Sequence, residues 1–278
     1  MEFRFLFVAA AGFLAQGLFG ELQAEELPRW ELGIGVGGLY LSDYRGANER
    51  HGYLLPLPYG VYRGDKVSVD REGLRGKVFG SERVTLLLSV TGDLPVNSDK
   101  NQARAGMPDL DPTIEVGPSL EIQLWKGQAK QRLSLNLPLR TVIATDLSHF
   151  KNIGWVFAPH FDLKLPVFGT HDDSFIQFTS GPLYAGKKYH DYYYAVDPVF
   201  RTAERDVYQA RGGYSGSYFT VGISWRLGDI WLGGFAGYDD LSGAVFADSP
   251  LVKDKKSLIV GGGIAYIFAK SQYKTNVP

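Results

Sequence analysis

The sequence predicts an all-β protein, an antiparallel transmembrane β-barrel of about twelve strands behind an export signal. Three observations point there. Segment after segment alternates apolar and polar side chains with a period of two, as a strand with two different faces requires. Beyond the first 24 residues the longest apolar run, Leu258 to Ala269, is far short of the roughly 20 residues that a spanning helix needs. The connections also come in two lengths, tight turns and long polar loops, which alternate along the chain.

The first element is the export signal. Arg4 supplies the charged start, an apolar stretch runs from Phe5 to Phe19, and Leu22-Gln23-Ala24 offers a small-residue cleavage point before Glu25-Glu26. Residues 1–24 are therefore set aside as a signal peptide, 25–268 form the barrel, and 269–278 are a C-terminal tail. Without Glu2, Arg4 and Glu21 the acids and bases balance, so the clustered basic excess of a nucleic-acid binder is missing. The chain has no cysteine, which removes disulfides, thiolate metal sites, a catalytic thiol and a lipoprotein anchor. Its 34 glycines and 14% aromatics suit pleated sheets and membrane interfaces better than helices.

The clearest strands come next. Over 132–140, Leu133, Leu135, Leu137 and Leu139 share one face against Arg132, Ser134, Asn136 and Arg140. Over 155–165, Trp155, Phe157, Phe161, Leu163 and Leu165 oppose His160, Asp162 and Lys164. Over 218–227, Phe219, Val221, Ile223, Trp225 and Leu227 alternate with Tyr218, Thr220, Ser224 and Arg226. Segments 114–124 and 83–91 behave alike. Further strands are expected at 31–41, 53–63, 66–72, 74–80, 174–184, 230–238 and 257–268. That gives an even number, with ten as the alternative if 66–80 is one irregular hairpin. Short connections fall at Gly64-Asp65, Lys126 to Gln131, Gly169 to Asp173 and Gly228-Asp229. Long ones fall at 42–52, 93–112, 185–213 and 239–256.

A soluble sandwich or lipocalin-like barrel alternates in the same way, with the apolar face turned inward. Strand length, unbroken bulky apolar faces and aromatics near strand ends favour the membrane form. The last strand adds to this. Gly261-Gly262-Gly263-Ile264-Ala265-Tyr266-Ile267-Phe268 resembles the C-terminal assembly signal of outer-membrane proteins, although ten residues follow Phe268.

Several segments resemble the MipA/OmpV family of outer-membrane proteins. They are Gly35-Val36-Gly37-Gly38, Ser42-Asp43-Tyr44-Arg45-Gly46, Leu55-Pro56-Leu57-Pro58-Tyr59 with Tyr62-Arg63, and Asp70-Arg71-Glu72-Gly73-Leu74-Arg75-Gly76. In the C-terminal half they are Tyr192-Tyr193-Tyr194, Tyr208-Gln209-Ala210-Arg211-Gly212-Gly213-Tyr214 and Gly243-Ala244-Val245-Phe246-Ala247-Asp248-Ser249-Pro250-Leu251-Val252. The resemblance implies an outer-membrane barrel held in lipid. It also implies a scaffold role between a lytic murein transglycosylase and a bifunctional murein synthase, with adhesion, host recognition or antibiotic susceptibility ascribed to other members. It brings no catalytic residue and no cofactor. Asp43, Tyr44, Asp248, Ser249 and Pro250 become candidates for partner contact.

Other motifs reduce to ordinary structure. Gly33-Ile34-Gly35-Val36-Gly37-Gly38 satisfies a dinucleotide fingerprint in form, but strand alternation runs on through Leu39-Tyr40-Leu41 where a helix should open. The five histidines show no metal-ligand spacing. Ser148-His149 and His190-Asp191 lack an orienting third group, and Gly213-Tyr214-Ser215-Gly216-Ser217 is not a nucleophile elbow. No enzyme is expected. Glu115, Glu121, Arg132, Arg140, His160, Asp162, Lys164 and Arg226 fall on the polar face, where they either stiffen a filled lumen or line a small-solute pore.

Overall fold

The computed structural model describes residues 27–64, 66–70, 73–81, 83–127, 131–167 and 174–275. The export segment 1–24, His171, the tips of the turns at 64–65, 126–131 and 169–173, and the last three residues of the tail lie outside them. In chain order the strands are β1 Trp30–Ser42, β2 Arg50–Arg63, β3 Val67–Asp70, β4 Gly73–Gly80, β5 Val84–Asp93, β6 Thr113–Lys126 and β7 Arg132–Thr145. β8 comes in two pieces, Phe150–Phe157 and His160–Pro166. β9 Phe175–Ala185, β10 Gly213–Leu227, β11 Ile230–Asp240 and β12 Lys256–Lys270 complete the set.

Each strand pairs antiparallel with its sequence neighbours, and β12 pairs with β1 from Val260↔Tyr40 to Lys270↔Glu31. The lower piece of β8 pairs with both β7 and β9, and the upper piece bridges the same two strands. The ring of twelve is therefore closed. The interruption of β8 falls at Ala158-Pro159 because proline has no N–H to give the ladder. The short pair β3 and β4 is what makes the count twelve; ten is excluded.

Alternation sets the faces. Along β1, Trp30, Leu32, Ile34, Val36 and Tyr40 are exposed while Glu31 between them is buried. Along β12, Leu258, Val260, Ile264, Tyr266 and Phe268 are exposed while Ser257, Ala265 and Ile267 are buried. In a lipid bilayer the exposed apolar set is the surface that acyl chains cover. The thinnest seam of the ring is between β2 and β3, where among the described residues only Tyr62↔Val69 and Arg63↔Ser68 pair, so the β3 side of β2 from Arg50 to Val61 has no ladder partner there. Replacing outward-facing Val221 by arginine should cost about 2–4 kcal/mol of barrel stability. The same change at its inward neighbour Thr220 should cost far less. Unfolding in urea from lipid vesicles, read by heat-modifiable mobility, compares the two.

The two ends of the described chain and the reversals after β2, β4, β6, β8 and β10 lie at one end of the ring; the loops 43–49, 94–112, 186–212 and 241–255, with the short turn 146–149, lie at the other. In outer-membrane barrels short turns face the periplasm and long loops the outside. At the periplasmic rim the tail turns back on the start of the barrel: Leu27 pairs with Thr275 and Pro28 with Lys274, and Ser271 N donates to Trp30 O. The outer loops fold inward onto each other. Helix α1, Lys187–Tyr194, buries Tyr189, His190, Tyr193 and Tyr194 while a Lys187–Asp191 pair at 2.5 Å spans its exposed side. It lies on β8 at Gly154, whose φ is 122° and whose missing Cβ would stand 3.0 Å from Tyr189 N. Only glycine fits such a close approach.

Candidate functional site: a capped, charge-lined lumen

The outer mouth is filled by an apolar cluster drawn from every long loop, including Tyr44, Val96, Leu110, Tyr194, Leu241 and Phe246. Tyr194 stacks on Phe246 with centroids 3.7 Å apart and planes 8° from parallel. Polar contacts lock the loops. Arg45 grips Asp239 with two hydrogen bonds, Nε to Oδ2 at 2.7 Å and Nη2 to Oδ1 at 2.5 Å, and gives a third to Ser215 O at 2.9 Å. Tyr44 donates to Leu251 O at 2.7 Å, Tyr194 to Arg45 O at 2.9 Å, and Ser249 to Tyr194 O at 2.8 Å. Arg104, buried in the loop 94–112, donates to Tyr193 O at 3.0 Å. Burial pushes the Tyr44, Tyr193 and Tyr194 phenols well above their ordinary range, so all three stay neutral.

The quoted loop motifs therefore meet in space, with Tyr44 and Leu251 separated by 207 positions in the chain. Of the five loop candidates, Tyr44 and Ser249 are inside the cap, and Asp43 is spent on His51 at 2.5 Å and Asn101 at 2.8 Å. Asp248 is the exposed one, 3.8 Å from Lys255, with half-buried Pro250 two positions on. All five lie at the outer end. A cleft of about 400 Å³ opens beside Asp43 and His51, between that loop and Val96–Asp111.

His190 and Ser215 form a pair that local spacing could not reveal. His190 Nε2 lies 2.7 Å from Ser215 Oγ and Nδ1 lies 2.5 Å from Arg211 O, so Nδ1 carries the proton and Nε2 accepts from the hydroxyl. Both residues are fully buried, which leaves them as a pin joining α1 to β10. Burial holds the His190 imidazole below its ordinary value of 6.5, helped by the Arg45 charge, with the Arg211 carbonyl and Asp191 opposing. A base depressed in the fold takes its proton first in the opened state. The stability it lends is thus present above the unfolded value and is lost as pH falls through it. Cleavage of the loop 186–212 by protease should accelerate below about pH 6.5 in the wild type, and His190→Gln should flatten that dependence.

The lumen charges separate into groups. Glu115 and Arg140 form an ion pair at 2.9 Å near the cap. Asp162 accepts from Gln177 Nε2 at 2.5 Å and Thr179 Oγ1 at 2.9 Å, on the next strand. Lys164 sits over the Phe175 ring at 3.6 Å, and His160 Nδ1 reaches Ala158 O at 2.8 Å beside Tyr218. Glu121 is in register with Asn136, and Arg132 with Lys126 and Lys164. Among the described residues neither Glu121 nor Arg132 has an ion-pair partner. Arg226 belongs elsewhere, at the periplasmic floor. There Glu31 receives Arg63 and Arg226, each at 3.0 Å, beneath Tyr59 and Trp231. The sequence reading counted neither Glu31 nor Arg63 among the lumen charges, though their inward parity on β1 and β2 is legible once the strand faces are assigned.

A closed twelve-strand ring with a lipid-facing apolar belt, periplasmic turns and packed outer loops defines an outer-membrane β-barrel. Residues 34–268 match the family model described as MltA-interacting protein MipA, so the chain belongs to that family. Outer membrane protein Omp26La of Vibrio anguillarum is 25% identical over 225 residues, covering 78% of this chain and 79% of its own. Outer membrane protein OmpV of Vibrio cholerae serotype O1 is 25% identical over 213 residues, covering 74% and 76%. Both names place the relatives in the outer membrane, and this chain is an outer-membrane protein of the same kind.

Proposed function

We propose that this barrel is a non-catalytic scaffold in the outer membrane, holding murein-remodelling enzymes near its periplasmic end. The carrying observation is the cap, whose core and Arg45–Asp239 lock spend the outer loops on filling the mouth. A ring packed at both ends suits a rigid platform better than a diffusion path for solutes. The family model is named for a protein that interacts with a lytic murein transglycosylase, and that partner class is carried here as part of the proposal. The bifunctional murein synthase expected from the family resemblance is carried with it.

Murein enzymes work in the periplasm, so the surface proposed to meet them is the turn end with its clasp of Leu27–Pro28 and Lys274–Thr275. The loop candidates Asp43, Tyr44, Asp248, Ser249 and Pro250 sit at the far end and serve the cap and outer rim. Photo-crosslinkers placed at Gly228, Lys270 and Tyr273 should trap a murein hydrolase or synthase in intact envelopes. Crosslinks from Asp248 alone, with none from the turn end, would reject this reading.

A further inference from the structure

β2 pairs with β1 without a break from Tyr62↔Trp30 to Arg50↔Ser42, yet on its other side β3 meets only Tyr62 and Arg63. Successive residues of an antiparallel strand aim their N–H and C=O groups at alternate edges. Arg63 N donates to Arg29 O, just ahead of β1. By alternation Gly52, Leu54, Pro56, Pro58 and Gly60 therefore aim their backbone groups at the unpaired side. Two of those five are prolines, which have no N–H to leave stranded in hydrocarbon. Prolines belong on strand edges that stay unpaired. By contrast β6, β7 and β9, each flanked by partners, hold one proline apiece, at Pro118, Pro138 and Pro182. The edge also lies at bilayer depth. Gly52 and Tyr62 are in register with Tyr40 and Trp30, and between those two the exposed Leu32, Ile34 and Val36 belong to the lipid-facing belt. Nothing from Gly52 to Tyr62 is charged. Outward Leu54 is 79% exposed and inward Leu55 is 41% exposed, so the edge is open on both faces of the wall.

We infer that this seam is a lateral slot in the barrel wall, filled by an acyl chain of a bilayer lipid lying along β2 between Gly52 and Gly60. The surroundings select that occupant. An added strand would find two of the five donors missing, the device by which sheets guard their edges. A second copy, inserted the same way up, would set β2 beside β2 in parallel and bring the same two gaps. The slot is uncharged and, through Leu54, continuous with the belt that acyl chains already cover. A chain seated there touches Leu55, so lipid reaches an inward side chain while the cap closes the route from water. The slot is independent of the scaffold role.

The chain has no cysteine, so a single introduced thiol can carry a bimane fluorophore. Labels are placed on Leu55→Cys at the slot, on Val221→Cys facing lipid, and on Thr220→Cys, which faces inward from a strand paired on both sides. The full protein is reconstituted in phosphatidylcholine vesicles with or without bromine on the acyl chains. Brominated lipid should quench the Leu55 label nearly as fully as the Val221 label, and the Thr220 label little. Iodide, a quencher confined to water, should act on the Leu55 label less than brominated lipid does. Heat-modifiable mobility confirms that each variant is folded. Leu54→Cys, on the outer side of the same edge, should yield no disulfide-linked dimer under mild oxidation. Brominated-lipid quenching at Leu55 no stronger than at Thr220, or stronger quenching there by iodide, would overturn the inference. Efficient dimers through Leu54→Cys would overturn it as well, by giving the edge to a second copy.

Discussion

Arg45→Ala should open the outer mouth. Removing the guanidinium strands Asp239, whose carboxylate is almost wholly buried and loses both of its short bonds at once. Breaking one member of such a pair costs about 3–5 kcal/mol, because the remaining charge stays buried without compensation. The barrel wall, held by backbone ladders from β1 to β12, should not share that loss. The cost therefore falls on the cap, and its opening equilibrium should shift by about a hundredfold to several thousandfold. In planar bilayers the wild type should conduct rarely and the variant often, and the loops 94–112 and 186–212 should become protease-sensitive together. Asp239→Leu combined with Arg45→Met leaves no orphaned charge and should recover most of the closed behaviour. A variant as silent as the wild type would show that the cluster around Phe246 holds the mouth without the lock.

The legibility of this chain follows from what each feature depends on. The strand faces need only the local period of two, so the outward set of Leu133, Leu135, Leu137 and Leu139 can be read directly from the sequence. Most turns and loops were equally plain, because glycine, proline and polar runs punctuate the reversals; the one at Asp146 to His149, with neither glycine nor proline, was not. Even the short strands at 67–70 and 73–80 were in view, although their pairing looked uncertain on length alone. The cap was not legible. Tyr44 with Leu251, Arg45 with Asp239 and His190 with Ser215 are brought together by ring closure and loop folding, and no spacing rule links them. The polar face was read as one charge-lined surface, yet its charges have three different settings: a pair under the cap, carboxylates at mid-lumen, and Arg226 in the floor. Which acid meets which base depends on strand register, and a slip of two residues would keep every face while changing every partner.

The floor offers the second large effect. Glu31 is nearly inaccessible and bonds to Arg63 on the neighbouring strand β2 and to Arg226 on β10, three strands away round the ring. Arg63 also donates to Pro28 O at 2.8 Å, and Arg226 Nε to Gly228 O, so the same cluster anchors the clasp and a periplasmic turn. Glu31→Gln keeps the shape but takes away the buried carboxylate that both guanidinium groups share. By the arithmetic of a broken buried pair this costs about 3–5 kcal/mol. For a chain of this size the unfolding midpoint in lipid should fall by something of order 10 °C. Because the ladder from Trp30 to Ser42 is untouched, the loss should appear as earlier melting of the folded band in heat-modifiable electrophoresis, with export unaffected. Arg226→Met in the same chain removes one of the two guanidinium groups and should restore part of the midpoint. If Glu31→Gln melts with the wild type, the arginines are held by other bonds and the carboxylate is not the keystone of the floor.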